Sequence, residues 1–137
     1  MMGAGDFTAA TVRLVFFARD CEQCFRCRRA LRWEDRGMGW SAHHRKPRGA
    51  GGVFGAAAEG VASPANCLVL CGSGTTGCHG WVEKNRRVAA ETGLLISRLG
   101  VGDEFEPTRV RVQREDETWW LLTDGGRAVE VEGKTWA

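Results

Sequence analysis

The chain has 137 residues, 19 of them glycine and six cysteine, with a formal net charge of +2. This length allows one domain with a modest core, since such a chain buries about two-thirds of its unfolded surface. No stretch approaches the roughly 18 apolar residues of a membrane-spanning helix, and the start, MMGAGDFTAATVRLVFF, lacks a basic segment before an apolar run. An intracellular, cytoplasmic protein with no membrane partner is expected, and in a reducing compartment six cysteines point to metal ligation over disulfides.

From Thr8 to Asp20, Val12, Leu14, Val15, Phe16 and Ala18 recur at helical spacing, with Asp6 or Thr8 as a cap, which predicts a helix. CEQCFRC then forms a knuckle, a turn follows around Arg36 to Gly39, and residues 40–44 read as extended. The Gly/Ala-rich segment 49–65 reads as a loop. It is internal, because cysteines and histidines lie on both sides of it. NCLVLC, 66–71, predicts a buried strand and GSGTTG a turn. A second helix runs from Cys78 or His79 to Thr92, with Gly93 as its C-cap. RVRVQ (109–113), TWWLLT (118–123) and RAVEVE after an Asp124-Gly125 turn predict an antiparallel C-terminal unit.

Cys24-x2-Cys27 and Cys71-x6-Cys78 can supply four thiolates to a closed tetrahedral zinc site, although Cys21-x2-Cys24 is an equally good pair on spacing. Cys67, alternating with Leu68 and Leu70, reads as a buried thiol. On a strand the neighbours His43 and His44 point to opposite faces, so one can bind metal while the other faces substrate. His79 and Glu83 share a helix face at a spacing suited to one metal ion. Residues 24–48 hold eight Arg/Lys against two acids, whereas residues 100–137 hold five against nine, so the positive charge is local and fits a polyanion. Trp40, Trp81 and Trp119 read as core, with Trp120 and Trp136 unassigned.

"WSAHHRKPRGAGG" and "SPANCLVLCGSGTTGCHGWVEKNR" together resemble the HNH endonucleases, in particular small bacteriophage-encoded members with a cysteine-bound zinc; the resemblance spans roughly residues 12 to 96. It implies an α+β fold: a small ββα-metal, treble-clef-like core with an N-terminal helix, a zinc knuckle and a C-terminal antiparallel β appendage. Residues 1–98 would form the nuclease domain with its structural zinc, and 99–137 a β-hairpin appendage packed on the same domain. His43 is implied as a metal ligand, His44 as the general base, Asn66 as the residue orienting the base and its loop, and His79 as a second ligand. Glu83, where many relatives carry His or Asn, is the third candidate. Cys24, Cys27, Cys71 and Cys78 are implied as the zinc set, and Cys21 falls where such proteins often have glycine.

The activity implied is DNA phosphodiester hydrolysis. Neutral His44 would take a proton from water, and a divalent cation such as Mg²⁺, Mn²⁺ or Ni²⁺ would stabilise the leaving oxygen. Arg45, Lys46 and Arg48 follow the base directly and are expected to grip the DNA backbone. Lys84, Arg86 and Arg87 either extend that track or are plain surface. By family analogy alone the protein would work in a phage-infected host cytoplasm, with a packaging terminase as a partner. The competing classes are a non-catalytic zinc-stabilised nucleic-acid-binding module and a zinc-bridged adaptor.

Overall fold

A computed structural model describes residues 5–47 and 60–133. Arg48, most of the Gly/Ala segment and Trp136 lie outside those residues. The described chain is α+β, with short helices and two antiparallel sheets, β1-β2 and β3-β4-β5. Among the described residues no helix is long and apolar enough to cross a membrane.

Thr8 caps the first helix by accepting a hydrogen bond from the Thr11 amide, satisfying one of the donors that a helix start leaves open. Helix α1, Ala9–Arg13, does not continue to Asp20 as a regular α-helix. It widens into a π-helical turn, Leu14–Arg19, in which the Asp20 amide reaches back to Val15 O. The wider turn gathers Val15, Phe16 and Arg19 on the buried side. Buried Arg19 grips Asp20 at 2.8 Å and also donates to Pro64 O and Cys67 O, which ties this turn to the start of the second strand.

Strand β1, Trp40–His44, and strand β2, Cys67–Cys71, form a hairpin-like ribbon in which His43 faces Leu68 and His44 faces Cys67. All five residues of β2 are buried, because the ribbon has packed matter on both sides. On one side Val12, Val15, Phe16, Trp40, Cys67 and Val69 form a cluster. On the other, Leu68 and Leu70 join Cys24, Phe25, Val82, Leu94, Val112 and Leu122. Helix α2, Gly77–Lys84, lies on this second side.

The expected helix from 78 to 92 is two helices, α2 and α3 (Arg86–Glu91), parted at Asn85. Asn85 leaves the helical region (φ −128°, ψ 50°), and its backbone and side-chain amides both donate to Trp81 O. The C-terminal sheet consists of β3 (Val112–Gln113), β4 (Trp119–Leu122) and β5 (Ala128–Val131). Val112 and Leu122 enter the same core cluster as β2 and α2. Arg114 stacks over Phe25 and Trp120, with its guanidinium 4.5 and 4.1 Å from the two ring centres. Trp40 is fully buried, whereas Trp81, Trp119 and Trp120 are only half-buried.

Candidate metal centres

The knuckle that follows Asp20 turns back on itself through Cys21, Glu22 and Arg28, all in the left-handed region, and a bridge between Gln23 and Ala30 closes it. This brings Cys24 and Cys27 to the end of β2, where Cys71 lies. The seven-residue reach to Cys78 needs Gly77: its φ is +62°, and a Cβ there would sit 2.5 Å from Cys71 O. The ligand atoms of Cys24, Cys27, Cys71 and Cys78 therefore all lie within 4.8 Å of one another. Cys27 and Cys71 sulfurs are 3.8 Å apart, which equals the edge of a tetrahedron with zinc–sulfur bonds of about 2.3 Å.

Several donors already point at these sulfurs. The Cys71 amide donates to Cys24 Sγ and the Cys78 amide to Cys71 Sγ, both at 3.3 Å, while Arg26 donates to Cys78 Sγ at 3.4 Å. The hydrogen bond shared with Cys78, and then burial, push the Cys24 thiol well above its ordinary range; burial also raises Cys71. Such sulfurs ionise only beside a cation, so the donor set fits a thiophilic ion such as zinc. Cys21 is exposed and outside the cluster. Cys67 is a buried thiol on the opposite face, pushed up to about 12 by burial.

A second group of potential ligands forms where β1 meets α2. The ligand atoms of His43, His79 and Glu83 lie within 4.8 Å of one another. His43 is 5% exposed, and burial lowers its pKa to about 4, so it is a neutral imidazole at neutral pH. Its Nε2 lies 2.9 Å from Leu94 O, an atom that can only accept, so Nε2 carries the hydrogen and the ring's lone pair is on Nδ1. His79 is also lowered by burial, and its Nδ1 is 2.6 Å from the Ser41 hydroxyl. Ser41 Oγ donates to Gly72 O at 3.3 Å, which turns its own lone pairs to the His79 Nδ1–H and assigns the lone pair of that ring to Nε2. Glu83 is exposed, and one of its carboxylate oxygens pairs with Arg86 at 2.9 Å.

His44 lies on the other face of the ribbon, half-buried under Phe7, with ring centres 3.8 Å apart and planes 12° from parallel. Its Nε2 donates to Gly5 O at 2.8 Å. Asn66 is fully buried. Its Oδ1 accepts from the Lys46 amide, and its Nδ2 donates to Lys46 O and Val61 O. The Arg45 amide bonds to Asn66 O. Asn66 therefore clamps the backbone just after His44.

The basic run requires correction. Arg45 does not face DNA: it is fully buried and donates to Gly93 O, Ala65 O, Pro107 O and Val110 O, joining three stretches of backbone. Burial lowers its pKa to about 9, so it keeps its charge at neutral pH. Lys46 is half-buried and its Nζ donates to Gly100 O and Phe105 O. Arg48 lies outside the described residues. Arg45→Met should orphan these carbonyls and destabilise the fold by about 3 kcal/mol or more, at about 1–3 kcal/mol for each unsatisfied group. A urea melt within experimental error of the wild type would remove Arg45 from the core.

Ser41 and Gly5 carry contacts to the candidate site that sequence reading did not find. A hydroxyl two residues before His43 on the same strand face was the available signal for Ser41; for Gly5, whose backbone oxygen is used, there was none. No protein-family model, no curated protein and no solved structure matches the chain. The fold and the cysteine cluster thus define an α+β chain that could hold a metal ion such as zinc.

Proposed function

We propose that this chain is a metal-dependent DNA endonuclease of the HNH type, with β1, β2 and α2 as its ββα-metal finger and the four-cysteine cluster as its structural zinc site. The observation that carries the reading is the convergence of His43, His79 and Glu83 from a strand and a helix onto one point. A divalent ion held by these three would supply Lewis-acid stabilisation of the phosphate and the leaving oxygen.

The remaining work belongs to the chain itself. His43 and His79 are neutral rings whose outward tautomers are set by Leu94 O and Ser41, the usual arrangement by which an outer hydrogen bond orients a ligand. His44 is the general base, with its Nε2–H held by Gly5 O. Asn66 holds the backbone at Lys46 and so fixes where the base stands.

Supercoiled plasmid incubated with Mg²⁺, Mn²⁺, Ni²⁺ or no added ion tests the reading. Nicked or linear product should form only with an ion. No cleavage of supercoiled, linear or single-stranded DNA with any ion would leave a non-catalytic binding module in its place. Ser41→Ala should weaken titratable divalent-ion binding about 10- to 100-fold while leaving the zinc content intact, as losses of such outer partners do. Unchanged ion affinity would deny Ser41 that role.

A further inference from the structure

With Arg45 and Lys46 committed to internal carbonyls, a group of exposed positive charge among the described residues lies in the knuckle and the loop after it. Residues 26–36 hold five arginines against Glu34 and Asp35, and Arg28, Arg29, Arg32 and Arg36 are exposed. The nearest ion pair, Arg32–Glu34, is 3.7 Å long with side chains 80% and 72% exposed, a geometry that leaves the guanidinium available. On α2 and α3, Arg86 pairs with Glu83 at 2.9 Å and Lys84 donates to Thr75 O, whereas Arg87, 3.9 Å from Glu91, is as available as Arg32.

The loop arginines border a cleft of about 240 Å³ lined by Arg29, Ala30, Leu31, Arg32, Asp35 and Gly39. Asp35 is its one carboxylate. Beside it, Trp33 is half-buried with the Arg13 guanidinium 4.9 Å from its ring centre, and Arg36 lies 5.6 Å from the Trp40 ring. A chain of hydrogen bonds ties this cleft to the candidate site. Trp40 Nε1 donates to Arg32 O, the Gly72 amide donates to Gly39 O, and Gly72 O accepts from the Ser41 hydroxyl that holds His79. From Gly39 to His43 the extended chain spans about 13 Å, or about four base-pair steps of a duplex at about 3.4 Å each.

We propose that this cleft, with Arg29, Arg32 and Arg36 around it, is the docking surface for the sugar-phosphate backbone of duplex DNA, and that it feeds the strand toward His43 and His79. The proposal rests on the nuclease reading for the identity of its ligand. The zinc site would hold the basic loop rigid, so that its arginines meet phosphates without first being ordered.

The test is binding of a labelled duplex across a range of salt, in buffer without added divalent ion, so that no turnover is needed. The triple variant Arg29→Gln/Arg32→Gln/Arg36→Gln should lower the slope of log K against log [salt] by about 2 to 3, at about 0.9 per lost phosphate contact. The pair Lys84→Gln/Arg86→Gln should leave the slope unchanged, and zinc content and circular dichroism should match the wild type in both variants. An unchanged slope in the triple variant, an equal fall in the control pair, or no duplex binding by the wild type would each overturn the proposal. Single-stranded DNA or RNA bound as tightly as the duplex would overturn the choice of ligand. If duplex binding shows the expected slopes but no ion supports cleavage, the nuclease reading fails and this surface stands.

Discussion

Cys71→Ser should abolish stoichiometric zinc and, with it, much of the thermal stability of the fold. Cys71 sits where both halves of the sulfur cluster meet: its own Sγ lies 3.8 Å from Cys27 and accepts the Cys78 amide, while its amide donates to Cys24. Without a metal ion Cys24 and Cys71 are held protonated, and the link between the knuckle, β2 and α2 rests on weak sulfur hydrogen bonds. Structural zinc contributes about 10–16 kcal/mol in small zinc-bound units, as much as the whole net stability of a typical domain. The melting temperature should fall by at least about 10 °C, since about 3 kcal/mol lost already moves a domain of this size that far. Elemental analysis of chelator-washed protein, with a thermal melt followed by circular dichroism, measures both. Cys21→Ser and Cys67→Ser are the controls, expected to keep one zinc each, because neither sulfur belongs to the cluster. If Cys71→Ser kept its zinc and its melt, the cluster would not be the staple of this fold.

His44→Ala should lower the rate of metal-dependent DNA cleavage by about 10² to 10⁴, the usual worth of a general base. Affinity for the divalent ion should barely move, because the ion's candidate ligands are on the opposite face of β1 and on α2. Zinc content and the salt slope of DNA binding should also hold. His79→Ala makes the contrast: its loss should appear as weakened ion binding, partly recovered at excess ion. Phe7→Ala tests the support of the base, since Phe7 stacks on His44; a rate that falls less than in His44→Ala, with ion affinity intact, is expected. Cleavage by His44→Ala at the wild-type rate would remove the base and, with it, the catalytic assignment.

Much of the local structure was written in short stretches. Residues 40–44 read as extended and the apolar run Cys67–Cys71 read as a buried strand, and both are strands of the ribbon, because strand preference acts within a few positions. Cys24-x2-Cys27 announced a metal knuckle in the same way. The break at Asn85 was less visible, since it depends on the backbone angles of a single residue.

By itself the sequence determined the residue types available for chemistry, the strand that carries the histidine pair, the strand that follows Asn66, and the spacing of His79 from Glu83. Only the tertiary structure decided among the cysteine pairs and the fates of the basic residues. Spacing treats Cys21 and Cys27 alike, but the left-handed backbone of the knuckle and the Gly77 turn bring Cys27 to Cys71 and leave Cys21 in solvent. Arg45, beside Lys46 and Arg48, reads as part of a phosphate grip, yet its four carbonyl partners come from residues 20 to 65 positions away. A charged side chain enters a core when the fold assembles enough acceptors to replace its water, and no local pattern around position 45 encodes those acceptors.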